Sequence, residues 1–96
     1  MEHVDDLTVQ YEDGGEVVIE ELGKVVLSKG SWATVVFKYR QWDNRKDAMS
    51  AVKYTIRRYQ KRNGSYRQQA KFNISSAKQA QGLIDALSAW VAEDLS

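Results

Sequence analysis

Three stretches of the chain have the hydrophobic pattern of β-strands. Residues 17–27 are rich in β-branched side chains, and Gly23 is the position where we expect a bend or bulge. Residues 32–42 and 52–61 alternate between apolar and polar positions, as strands with two different faces do. The polar stretch between these two strands, residues 43–51, predicts a loop.

A tight turn at Asn63-Gly64 joins the third strand to a fourth, and its length decides how the two strands pair. A two-residue loop would place Lys71 on the same face as Ile56. A three-residue loop, with Gly64 in a left-handed bulge, joins apolar to apolar positions, and we expect it because a one-residue slip would bury charge. The expected pairs are Ile56 with Ala70, Tyr54 with Phe72, Val52 with Ile74, Tyr59 with Arg67 and Arg57 with Gln69.

The apolar positions take a helical spacing near the C-terminus, which predicts a helix over residues 76–92. Ser76 and Gln79 have the spacing of a capping box at its start. The apolar stripe of this helix consists of Ala80, Leu83, Ile84, Leu87, Trp90 and Val91. The expected fold is therefore α+β, a curved four-stranded antiparallel sheet followed by one C-terminal helix.

The length of 96 residues suits a single domain, which we expect to span residues 16–96 after a flexible, acidic segment, residues 1–15. Trp90 either anchors the helix on the sheet or contacts a second copy. Small cores often grow by association, which makes a dimer contact through Leu83, Leu87 and Trp90 the alternative to anchoring.

Composition excludes several kinds of chemistry and of location. There is no cysteine, so disulfides, thiolate metal sites and cysteine nucleophiles are excluded. No apolar run approaches the roughly 20 residues that span a bilayer, and the N-terminus lacks an apolar signal core. We expect a cytoplasmic protein without a membrane partner, associated with the nucleoid if the source is a bacterium.

The charges are distributed very unevenly along a chain whose formal net charge is +1. Residues 1–23 contain eight acids and no Lys or Arg, whereas residues 24–75 contain thirteen Lys or Arg and two acids. Within this basic centre, residues 53–75 hold seven Lys or Arg and four aromatic residues without any acid. A strongly basic region of this kind indicates a polyanionic partner.

One helix covers one face of a sheet, so we expect the other face to be open to solvent. Taking the apolar side of each strand as the core side, the open face carries cations and rings on three consecutive strands. These candidate nucleic-acid-binding residues are Trp32, Lys38, Arg40, Trp42, Lys53, Arg57, Tyr59, Lys61, Arg67 and Lys71. Cations follow phosphates and rings stack on unpaired bases, which predicts single-strand binding. The alternative is an ordinary solvated face with cross-strand packing of its rings.

Other candidate chemistry is sparse. His3 is the only histidine and has no cluster of possible metal ligands around it in the sequence, so we expect no metal site and no cofactor. The usual nucleophile–base pairs are absent apart from common Ser–Lys pairings, and Ser76 is better explained as a helix cap. We therefore expect no enzyme activity and no catalytic residues.

Two segments and the helix after them resemble a known family. The run KYTIRRY at residues 53–59 and the run KFNIS at residues 71–75 precede an amphipathic helix. Together they resemble the C-terminal domain of the positive cofactor four family of single-stranded DNA-binding transcription coactivators, in its bacterial form. The segment EELGKVVLS and Trp42 are also similar to bacterial members, and the resemblance runs from about residue 17 to 90.

The resemblance implies a homodimer with paired helices and two channels that bind single strands or melted duplex. It also implies contact with the transcription machinery. By position, the channel residues would be Lys38, Arg40, Trp42, Lys53, Arg57, Tyr59 and Lys71. The chain departs from the family in its more basic strands, in the loop at residues 43–51 and in its acidic N-terminal segment.

The expected function is sequence-tolerant binding of single-stranded DNA, in transcription or DNA maintenance. One alternative is a protein-interaction module whose basic face binds an acidic partner. Another is an RNA-binding protein of the purine-rich-element-binding or whirly type, because those folds share the plan of four strands and one helix. Base stacking would quench tryptophan emission, whereas a purely ionic acidic partner need not.

Overall fold

An antiparallel sheet followed by a C-terminal helix makes up most of the computed structural model, which describes residues 2–96. Met1, part of the predicted N-terminal segment, lies outside the described residues. The strands are β1 (Tyr11–Asp13), β2 (Glu16–Ser28), β3 (Trp32–Asp43), β4 (Ala48–Met49), β5 (Lys53–Arg62) and β6 (Ser65–Ile74), and the helix is α1 (Ala77–Asp94). The order across the sheet is β1-β2-β3-β5-β6, and β4 pairs with β3.

The prediction of an α+β fold with an antiparallel sheet and one C-terminal helix is confirmed, but the sheet has more strands than the expected four. β1 forms because Gly14 and Gly15 have positive φ and close a tight turn onto β2. β4 forms inside the predicted loop, where Met49 pairs with Trp42. Both additions are short strands at positions where the sequence has no long alternation.

The hairpin of β5 and β6 has a two-residue turn, so the expected three-residue loop is wrong. Asn63 and Gly64 both have positive φ, and Arg62 pairs with Ser65 across them. An extra residue in β6, Gln69, forms a bulge opposite the step from Arg58 to Tyr59. The bulge restores apolar pairing two residues away from the expected register. The observed pairs are Tyr54 with Ile74, Ile56 with Phe72, Arg57 with Lys71 and Tyr59 with Gln68.

Cross-strand pairing divides the sheet into two faces, because directly opposed residues of antiparallel strands point the same way. We name the first the strap face; it carries Ala33, Val35, Phe37 and Tyr39 of β3 opposite Tyr59, Arg57, Thr55 and Lys53 of β5. We name the second the helix face; it carries Trp32, Val36, Lys38, Tyr54, Ile56, Phe72 and Ile74. The main buried cluster lies on the strap face.

Residues 2–10, which we name the strap, cover the strap face. Val4, Leu7 and Val9 are buried in one cluster with the apolar row of β3 and with Tyr59. The structure therefore packs residues 4–9, which belong to the predicted N-terminal segment 1–15, against the sheet. Leu7 and Val9 belong to an alternation with polar residues that is too short to indicate a buried segment from the sequence.

Polar contacts attach the strap to β2. The Lys24 ammonium donates to the carbonyl oxygens of Val4, Asp5 and Leu7 at 3.0, 2.8 and 2.6 Å. These bonds use all three of its N–H donors. The Glu21 carboxylate accepts from the Val9 N–H at 3.2 Å. The strap is thus fixed by both hydrogen bonds and burial.

Helix α1 begins as its sequence predicts and then lies loosely on the sheet. Ser76 is the N-cap and accepts from the Gln79 N–H at 3.1 Å. In a capping box the Gln79 side chain would accept from the N–H of the N-cap, Ser76. Here it accepts from the N–H of the preceding residue, Ser75. No residue of the helix is buried. No helix in residues 2–96 is long and apolar enough to cross a membrane.

Candidate nucleic-acid interface

The structure distributes the ten predicted binding residues over both faces of the sheet, so the single open face of the prediction is wrong. Lys53, Arg57, Tyr59, Lys61 and Lys71 lie on the strap face, whereas Trp32, Lys38, Arg40, Trp42 and Arg67 lie on the helix face. The physical reason is that Val35 lies opposite Arg57 and Phe37 lies opposite Thr55. The apolar row of β3 therefore shares its face with the basic row of β5.

Cations lie along the strap face of β5 and β6, on either side of the buried Tyr59. Arg57 lies directly opposite Lys71, at a distance of about 5 Å between Cβ atoms for such a pair. Lys53 is on the same face of β5, about 14 Å along the strand from Arg57. At the turn end of β5, Lys61 completes the set. We name Lys53, Arg57, Lys61 and Lys71 the cation row.

The cation row has no ion-pair partner within residues 2–96, where the one side-chain ion pair joins Arg40 to Glu20. Arg57 is instead held by neutral groups. Its Nη1 donates to Gln68 Oε1 at 3.0 Å, and its Nε donates to Thr55 Oγ1 at 3.4 Å. These bonds orient the guanidinium group without neutralising it. Like charges directly opposite each other destabilise a sheet, so this arrangement favours an anionic partner.

Tyr59 does not provide an open ring on this face, because it is only 6% exposed. Its ring packs edge-on against Tyr66, with 6.5 Å between the ring centroids. Burial raises the pKa of the Tyr59 hydroxyl above its ordinary value of 10.0, and the charge of Arg57 opposes part of that rise. Tyr59 therefore belongs to the core and supports the cation row rather than stacking on a base.

Tyr66 is a partly exposed ring on the strap face of β6, and the sequence pattern did not indicate a role for it. The Lys61 ammonium lies 5.2 Å from its ring centroid. Its hydroxyl donates to the Gly30 carbonyl oxygen at 2.7 Å, which fixes the ring between two turns. The position of Tyr66 two residues after the turn, opposite Lys61, was the available signal.

The predicted residues of the helix face have different surroundings. Trp32 is 40% exposed and lies under the guanidinium group of Arg58, while Trp42 is 37% exposed at the far end of β3. Arg40 is paired with Glu20, so its charge is already compensated. Lys38 is exposed beside Gly23. These residues do not converge with the cation row, because the thickness of the sheet separates them.

The search for a metal site and the comparisons with known proteins give no further indication of function. Within residues 2–96, no group of three or more His, Cys, Asp or Glu side chains is placed to hold a metal ion. Comparison with family models, with curated proteins and with solved structures finds no match to this chain. The proposed function therefore depends on the geometry and charge of the two faces of the sheet.

Proposed function

We propose that this chain is a sequence-tolerant single-stranded DNA-binding protein that holds the strand along the cation row. The observation that supports this most is the opposition of Arg57 and Lys71 on a sheet face where neither forms an ion pair in the described residues. Such a pair destabilises the free protein by repulsion, and a phosphate between the two charges replaces that repulsion with charged hydrogen bonds. DNA that is transiently single-stranded in transcription or DNA maintenance supplies such phosphates.

A single strand fits this face better than a duplex does. The cation row contacts phosphates, and the partly exposed ring of Tyr66 next to Lys61 offers a surface on which an unpaired base can stack. In a duplex the base faces are hidden, so only the phosphate contacts would remain. Stacking depends little on base identity, which is why we propose binding without strong sequence preference.

Fluorescence anisotropy tests this proposal with a labelled 20-nucleotide single strand of DNA and the matching duplex. We expect much tighter binding of the single strand, with an affinity loss of about fiftyfold between 50 and 200 mM salt for roughly four phosphate contacts. The same sequence in RNA provides a third arm. Equal and weak binding of single strand and duplex would contradict the proposal, and clearly tighter binding of RNA would change the ligand.

We further propose that the protein is a homodimer whose interface is the apolar stripe of α1 together with the apolar groove between α1 and the sheet. The apolar stripe of α1 lacks a sufficient partner in one chain: Ile84 is 54% exposed and Trp90 is 62% exposed. Leu27, which lines the groove between the sheet and α1, is also exposed, as is Phe72 on the helix face of β6. Contiguous apolar surface of this extent is typical of a protein–protein interface.

Replacing Leu87 with glutamate is expected to dissociate this dimer, because it places a charge in the apolar stripe of α1. Sedimentation velocity should give about twice the chain mass of 11.0 kDa for the wild type and a single chain mass for Leu87→Glu. Ala89→Glu adds the same charge on the exposed side of the helix opposite Leu87 and should leave the dimer intact. A wild type that sediments as one chain at micromolar concentration would refute the proposed dimer.

A further inference from the structure

Three arginines and a tryptophan surround Gln60 on the helix face, at the end of the sheet beside the β5–β6 turn. Gln60 lies opposite Trp32 of β3 and opposite Arg67 of β6. Arg58 and Arg62 lie two residues before and after it on β5, and therefore share its face. We name Trp32, Arg58, Arg62 and Arg67 the arginine cluster.

Two contacts orient the guanidinium groups of Arg58 and Arg62 while leaving the arginine cluster open to solvent. The Arg58 guanidinium carbon lies 4.4 Å from the centroid of the Trp32 ring, and Arg62 Nε donates to Gln60 Oε1 at 3.1 Å. All three arginines are exposed. None of them belongs to an ion pair within residues 2–96. The cluster is therefore a group of three uncompensated cations, two of them oriented, beside a partly exposed indole ring.

The arginine cluster is separate from both surfaces described above. The cation row lies on the opposite face of the sheet. The apolar groove under α1 is lined on the sheet side by residues such as Leu27, Val36 and Ile56, and no member of the cluster lines it. The change from Ile56 to Arg58 on β5 marks the point where the apolar part of the helix face ends. A second copy seated on the groove would leave the cluster beside its rim.

The chemistry of the cluster matches a nucleic-acid strand. A guanidinium group presents a planar fork of N–H donors that suits phosphate oxygens. A tryptophan ring next to these donors can stack on a base, as in proteins that bind single strands without sequence preference. We infer that the arginine cluster is a second binding surface for single-stranded DNA, so that one chain contacts strands on both faces of its sheet. This inference rests on the proposed function, because it assigns the same class of ligand to other residues.

A single-tryptophan protein tests the inference directly. The double variant Trp42→Phe/Trp90→Phe leaves Trp32 as the only indole, so its emission reports on the cluster alone. Saturation with unlabelled oligo(dT) of 20 nucleotides is expected to quench that emission by roughly half, by base stacking. In the same background, Arg57→Gln/Lys71→Gln should leave the saturable quench unchanged. Arg58→Gln/Arg67→Gln should raise the oligonucleotide concentration needed for half-maximal quenching at least tenfold.

The possible outcomes separate this inference from the proposed function. If anisotropy shows single-strand binding while Trp32 emission stays unchanged at saturation, the second surface is refuted and the proposed function stands. If no single-strand binding is detected at all, both fail. If poly-glutamate changes Trp32 emission as strongly as oligo(dT) does, the cluster binds acidic protein instead and the inference is overturned. Far-UV circular dichroism of each variant confirms that its fold is unchanged.

Discussion

Replacing Leu7 with alanine is expected to lower the free energy of unfolding by about 2–5 kcal/mol. Leu7 belongs to the strap, yet it is only 8% exposed and packs in the main buried cluster with Phe37. The loss is of this size because the substitution removes both the buried apolar surface of Leu7 and its packing against the buried cluster. Because domains of this size have a total stability of about 5–15 kcal/mol, the variant would be only marginally folded.

Urea unfolding followed by far-UV circular dichroism at one fixed protein concentration measures this effect. Leu95→Ala is the matched control, because Leu95 is 83% exposed and its truncation should change stability by about 0.5 kcal/mol at most. Equal stability of the two variants would show that the strap does not pack on the sheet. Removing the strap altogether should then also be harmless, whereas we expect that deletion to expose the core of the strap face.

Replacing both Arg57 and Lys71 with glutamine is expected to weaken single-strand binding about a hundredfold. Each side chain offers a charged hydrogen bond to phosphate, worth about 1.5–3 kcal/mol, and each 1.4 kcal/mol corresponds to a factor of ten. The slope of log affinity against log salt should fall as well, by about one unit per lost contact. Folding should not suffer, because the substitution removes a repulsion between opposed charges.

The control variant Lys46→Gln/Lys78→Gln changes the net charge by the same amount. Both of these lysines are exposed and lie outside the six strands, in a turn and in the first turn of α1. Anisotropy should therefore show an affinity within about threefold of the wild type for this control. An equal loss of affinity in both double variants would mean that the chain attracts DNA by its overall charge, without a specific cation row.

The sequence was sufficient to predict the order of the main elements, because long alternating runs and a helical stripe are strong local signals. The apolar side of residues 32–42, the side expected to face the core, consists of Ala33, Val35, Phe37 and Tyr39, and all four are buried. The N-cap at Ser76 was a further local signal that the structure reproduces. These features depend on near neighbours along the chain, so a pattern of residues contains them.

The arrangement of the candidate site could not be predicted in the same way. The apolar positions Tyr54 and Ile56 indicated which side of β5 is covered, but they could not indicate whether the strap or the helix covers it. The structure covers both faces, and Thr55 and Tyr59 on the other side of β5 are the buried ones. Which rows share a face depends on strand register, and register depends on contacts between distant parts of the chain.

The bulge at Gln69 has a consequence for how the lengths of this hairpin can vary. Counted from the two-residue turn alone, residues 70–74 would point to the opposite faces of the sheet. The extra residue of β6 shifts the register by one and gives them their observed orientation. Deleting Gln69 alone would therefore turn residues 70–74 over and start α1 from the strap face. Relatives with this fold should consequently gain or lose residues here in compensating pairs. A single-residue length difference between two such proteins would identify a chain whose helix packs on the other side.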